Sequence, residues 1–148
     1  HHPSSAASDV YKRQIKDSSG DWENTKSLLG IDDLIVYPGA ELPVIEAIKL
    51  GAPGCISATA NLNGGDISKV INFCHSNEWE KAEDLHKKVT KVRLLFQDYA
   101  PIPAQKGLLA KKTKISEWLN VRPPLKSIND DKVSELANTL NNEFGYSY

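Results

Sequence analysis

"QIKDSSGDWENTKSLLG" (residues 14–30) passes from an apolar residue and a lysine into small polar residues, and then into a helix-like segment. Ile15–Lys16 reads as a strand end and "DSSG" as a loop. Asp21 is suited to cap a helix over Trp22–Leu29, which Gly30 would close from the C′ position. A lysine between a strand end and a helix N-terminus stands where parallel α/β folds build their pockets. The fold therefore turns on whether later strands end in the same way.

They do. "DLIVYPG" (33–39) is a short apolar run rich in β-formers, bounded by Pro38 and Gly39. "ELPVIEAIKLG" (41–51) reads as a helix with Pro43 in its first turn and Gly51 closing it. "GCISATANLN" (54–63) reads as a third buried strand, followed by a helix over "GGDISKVINFCHSN" (64–77) capped near Asp66. Unbroken apolar strands alternating with amphipathic helices are the signature of parallel βαβ units.

After Asn77 the alternation stops. Trp79, Ala82, Leu85, Val89, Val92 and Phe96 recur at helical spacing, giving one apolar stripe. Glu83 with Lys87 and Asp84 with Lys88 are spaced as i,i+4 pairs on its wet side. "APIPAQKGLLAKK" (100–112) breaks and restarts the helix, "NVRPPLKSIND" (120–130) is a loop, and Asp130 or Asp131 should cap a last helix over Lys132–Phe144. Three parallel strands neither close a barrel nor cover their own edges. Either a small open α/β domain carries a long helical tail or a larger sheet has been cut, and the lack of a starting methionine favours the cut.

The composition is that of a globular chain: 148 residues, 40% hydrophobic, 25% charged, net charge −1. No long-range pull toward nucleic acid or a membrane surface follows from that balance, and no apolar run reaches the roughly 18 residues of a membrane span. Cys55 and Cys74 lie in apolar stretches and read as buried thiols of a cytoplasmic protein. There is no methionine, and "HHPSSAASDVYKRQ" (1–14) lacks apolar periodicity. Residues 1–14 read as a tag- or adapter-like segment, 15–76 as three βα units and 77–148 as a helical extension, the whole being a fragment.

Lys16 is the candidate nucleophile. A lysine of ordinary pKa, about 10.4, is a neutral amine in roughly one molecule in a few thousand at neutral pH, and a desolvating pocket raises that fraction. Gly39 stands where a backbone approaches something closely, with Glu41 just beyond it, and Ile56, Ser57 and Thr59 surround the end of the third strand. Each has a bland alternative: a snorkelling lysine, a turn glycine, an acid at a helix start, core packing. Their placement at one end of one sheet outweighs any of them singly. His75 and His86 lack partners at metal spacing, "AKKTK" (110–114) reads as a solvated helix end, and no Gly-rich phosphate loop occurs, so neither metal nor cofactor is expected.

"IKDSSGD", "YPGAE", "GCISATAN", "PIPAQKGLLA" and "RPPL" occur in this order, and with them residues 15–148 resemble the C-terminal half of the dihydrodipicolinate synthase / N-acetylneuraminate lyase family. The resemblance implies strands six to eight of a (β/α)8 TIM barrel followed by C-terminal helices. It implies that Lys16 forms a Schiff base with a 2-oxo acid, usually pyruvate, in making or cleaving a C–C bond with an aldehyde acceptor. By the same likeness Gly39 lines the pyruvate pocket, the Ile56 carbonyl contacts the bound intermediate, and Ser18 and Glu41 lie where sugar-acid lyases contact substrate hydroxyls. The implied chemistry uses no metal or cofactor, and the full-length family protein would be a homo-oligomer, a tetramer. The family's second-strand Gly-Thr-Thr-Gly-Glu-type motif and fifth-strand tyrosine have no counterpart here, so the chain is expected to be inactive by itself. A synthase is favoured over a 2-keto-3-deoxy sugar acid aldolase, and the rival of another class is a non-catalytic α/β interaction module.

Overall fold

The structure is a computed structural model that describes residues 13–148. Among these the chain forms two strands and six α-helices. Of the leading segment, residues 1–12 lie outside the described residues, and Gln14 is the first residue of β1 (Gln14–Asp17). β1 pairs in parallel with β2 (Ile35–Pro38), Lys16 opposite Tyr37 and Asp17 opposite Pro38. Parallel strands need a crossover between them, and α1 (Trp22–Leu29) supplies it. Asp21 caps α1 as expected, its carboxylate accepting from Glu23 N at 3.0 Å. Gly30 ends α1 with φ −81°, in right-handed rather than left-handed geometry.

The third expected strand is corrected. Residues 54–56 run without strand pairing apart from one hydrogen bond, Ile56 N donating to Pro38 O at 2.9 Å, and the chain turns at Ala58–Thr59 into α3 (Ala60–His75). "TANLN" is thus a turn and the start of a helix, because Ala60, Leu62 and Asn63 are as compatible with helix as with strand. Asp66 lies inside α3 instead of capping it. A non-helical residue, Asn63 (φ −119°, ψ 27°), separates the first turn from the rest.

The chain divides into two compact units at Val89/Thr90, within α4 (Trp79–Leu95). In the first, the short α2 (Val44–Lys49) brings Val44 and Ile45 into one core with Ile67, Val70 and Cys74 of α3 and Ala82 and Val89 of α4. The α4 charges pair differently from their spacing. Lys87 reaches Asp84 at 3.4 Å, Lys88 reaches Asp66 at 2.9 Å and Glu83 faces Lys49 at 3.9 Å.

In the second unit, Val92 and Phe96 continue the apolar stripe into burial. α5 (Pro101–Thr113) buries Ala104 and Leu108, and α6 (Asp130–Phe144) buries Val133, Leu136, Ala137 and Leu140 at helical spacing. The N-cap of α6 is Asn129, in place of the expected Asp130 or Asp131, its side chain accepting from Lys132 N at 2.9 Å. No helix among the described residues is long and apolar enough to cross a membrane.

The sheet ends where the backbones meet. Gly39 N donates to Asp17 O at 2.6 Å, and a Cβ on Gly39 would lie 2.6 Å from that oxygen and 3.0 Å from Ser18 Cα. Backbone on that side cannot swing away as a flexible side chain would. Gly39→Ala is therefore expected to lower the urea stability by about 3 kcal/mol, the upper end for overpacking, and an unchanged midpoint would show that the loops part without cost.

Candidate active site

Period-two alternation decides what Lys16 faces. Asp17 is buried, as are Val36 and Pro38 on the neighbouring strand, so these positions mark the covered side of the sheet. Lys16 and its cross-strand neighbour Tyr37 lie on the other side, with Lys16 exposed and Tyr37 half-buried. Ile35, 40% exposed, shares that open face.

The loop after Lys16 is ordered by its own side chains. The Asp17 carboxylate accepts from Thr25 Oγ1 at 2.5 Å, from Ser19 N at 2.9 Å and from Ser19 Oγ at 3.0 Å. The bond to Ser19 N, two residues on, makes an Asx turn. Ser19 Oγ also accepts from Asp21 N at 3.1 Å, which joins the loop to the cap of α1. Gly20 takes φ +72°, a conformation that favours glycine. The hydrogen bond from Thr25, ahead of opposing desolvation and with further help from Ser19, holds the Asp17 carboxyl at about 2, below its ordinary value.

Past β2, the Glu41 carboxylate is fully buried and accepts hydrogen bonds from Ser57 Oγ and Thr59 Oγ1. The two hydroxyls lie 3.0 Å apart. His86 Nε2 donates to Glu41 O at 2.8 Å, which places a proton on that ring nitrogen. Thr59 stands at the N-cap position of α3 without capping it, because its hydroxyl is directed to Glu41. Burial, with the Glu41 charge adding to it, pushes the Cys55 thiol up to about 11, so at neutral pH it is a protonated packing group.

Among the residues singled out from sequence, Lys16, Ser18 and Gly39 are brought together: Gly39 packs against the Asp17–Ser18 backbone. Ile56 joins them through Pro38 O, with its side chain 47% exposed. Glu41 is set apart by burial, its carboxylate occupied by the two hydroxyls of the following loop. Two networks escape sequence reading: Asp17 with Ser19 and Thr25, and Glu41 with the imidazole of His86 on its carbonyl. The Asp-x-Ser spacing of 17–19 signals the Asx turn, but nothing in the sequence marks Thr25 as the partner of Asp17 or His86 as that of the Glu41 carbonyl. No group of three or more His, Cys, Asp or Glu among the described residues is arranged to hold a metal ion.

Comparison with known proteins bears on family and fold. Residues 13–143 match the model of the dihydrodipicolinate synthetase family. The 4-hydroxy-tetrahydrodipicolinate synthase of Oceanobacillus iheyensis is 26% identical over 129 residues, 85% of this chain and 43% of that protein. A dihydrodipicolinate synthase structure from Bacillus anthracis superposes with TM-score 0.71 at 26% identity, covering 88% of this chain and 44% of the other. N-acetylneuraminate lyase from Fusobacterium nucleatum gives TM-score 0.73 at 19% identity, covering 95% and 49%, a likeness of fold. The chain spans less than half the length of these relatives.

The depressed Asp17 carboxyl has a consequence for stability. Its contribution is complete above the ordinary value of 3.8 and is lost as pH falls through about 2. Asp17→Asn should therefore lower the urea midpoint near neutral pH, with the gap to the parent narrowing between about pH 4 and about pH 2. A gap that stays constant through that window would mean that the charge of Asp17 adds nothing to the fold.

Proposed function

The chain belongs to the dihydrodipicolinate synthetase family, and from that membership we propose that it carries the Schiff-base lysine, Lys16, of a pyruvate-dependent lyase. The observation that carries the reading is the position of Lys16. It lies at the C-terminal end of a parallel strand, on the open face of the sheet, beside a loop end that Gly39 draws in. The relatives' α/β fold supports taking β1, β2 and the Gly54–Ile56 stretch as the sixth, seventh and eighth positions of a (β/α)8 barrel, the last lacking strand pairing apart from the Ile56–Pro38 bond.

The neutral Lys16 amine adds to the C2 carbonyl of a 2-oxo acid, and loss of water gives an iminium. The iminium withdraws electrons from C3, which releases a proton and leaves an enamine. The enamine carbon attacks an aldehyde, forming the C–C bond, and hydrolysis of the new iminium returns the amine. Run backwards, the same steps cleave a 4-hydroxy-2-oxo acid. Gly39 lets the loop after β2 lie against Asp17–Ser18 next to Lys16, where the small acid would bind. The Ile56 carbonyl is assigned as an acceptor for the intermediate, and Ser18 faces the Gly39 loop. Glu41 serves in this proposal by fixing Ser57 and Thr59, with its carboxylate turned from solvent. The names of the relatives favour a synthase that joins pyruvate to an aldehyde over a sugar-acid aldolase.

Borohydride reduction of the 148-residue chain in the presence of pyruvate, read by intact mass and peptide mapping, tests this. The expected result is one pyruvate-derived adduct, on Lys16, that is lost in Lys16→Ala. Equal labelling of the parent and of a folded Lys16→Ala chain would refute the assignment.

A further inference from the structure

Lys16 and Asp17 are chain neighbours whose side chains leave β1 in opposite directions. Residue 17 is fixed twice. Its carboxylate takes three hydrogen bonds, from Thr25 Oγ1 on α1 at 2.5 Å and from Ser19 N and Oγ at 2.9 and 3.0 Å. Its carbonyl takes the Gly39 N–H at 2.6 Å. A strand's last residue commonly frays, whereas this one is held from its own loop, from the next helix and from the neighbouring strand end.

We propose that Asp17 is the positioning residue of Lys16: its bonds to Thr25 and Ser19 fix the last peptide of β1 and so the direction in which the lysine leaves the sheet. The proposal rests on the Schiff-base reading of Lys16. Asp17 does not touch the ketone. It acts from the far side of the strand, and its carboxyl, held at about 2, stays ionised at neutral pH and supplies no proton. Its effect passes through the backbone. Lysine has a flexible four-carbon stem, so anchoring its Cα is how the fold can narrow the positions open to its amine. Misplacing a reacting group by about 1 Å costs as much as about 100-fold in rate.

The test is reductive alkylation of the full chain by pyruvate and cyanoborohydride. The rate at Lys16 is measured by peptide mass against the rate at Lys87, whose side chain is 73% exposed. In the parent, Lys16 should react at least about tenfold faster than Lys87. Asp17→Asn and Thr25→Val should each bring Lys16 down by about tenfold at saturating pyruvate, with half-saturation unchanged and Lys87 unaffected. Thr25→Ser, which keeps the hydroxyl, should retain the parent rate. A role in stability only would lower the unfolding midpoint of these variants and leave the Lys16/Lys87 ratio of the folded chains where it was, and that result overturns the proposal. If Asp17→Asn does not fold, Thr25→Val decides by the same ratio. A parent Lys16 no faster than Lys87 removes the Schiff-base reading and this inference together, while a fast Lys16 in every folded variant removes the inference and leaves the reading standing.

Discussion

The contact between Gly39 and the Asp17–Ser18 backbone is the constraint on which the site depends. The Gly39 N–H donates to Asp17 O at 2.6 Å, and there is no space for a Cβ. That single close approach draws the loop after β2 against the loop after β1. It thereby sets Lys16, Ser18 and Gly39 side by side at one end of the sheet. Pro38 extends the same edge by accepting the Ile56 N–H. Backbone hydrogen bonds at strand ends, rather than side-chain packing, bring three separate stretches of sequence together.

The two sides of this sheet end have different chemistry. On the covered side, the Asp17 carboxylate, Ser19 and Thr25 satisfy one another; farther along, the buried Glu41 carboxylate is satisfied by Ser57 and Thr59. The ionised Asp17 carboxylate is tolerated there because donors surround it. On the open side stand Lys16 and Tyr37, with Ile35 beside them. The polar groups of Asp17, Ser19 and Thr25 are thus used up on the covered side, and Lys16 is left exposed on the other.

Much of this was legible from the sequence, for physical reasons that also explain the failures. The strand ends at Lys16 and at Pro38–Gly39 point to one cluster, since parallel strands align their C-termini, and Ile56 reaches it through the Pro38 carbonyl without forming a strand. α1, with its Asp21 cap, and the α4 stripe follow from local chemistry and periodicity. Gly54–Asn63 misled because a short apolar run carries no period, and its second half folds as helix up to the irregular Asn63. The i,i+4 spacing of the α4 charges does not reveal the partners of Lys88 and Glu83, because Asp66 and Lys49 are distant in sequence. Thr25 could not be read as a partner of Asp17, because a turn and a helical turn lie between them.

The central claim is that Lys16 converts a bound 2-oxo acid to an iminium and so acidifies its methyl group. Following the pyruvate methyl signal by proton NMR in deuterated buffer tests this without an aldehyde. Iminium formation needs only the lysine, and solvent can take the methyl proton. The 148-residue chain should therefore speed exchange of the methyl protons for deuterium even where the complete reaction is not expected, and Lys16→Ala should abolish the acceleration. Exchange at the same rate with the parent, with a folded Lys16→Ala chain and with buffer would contradict it.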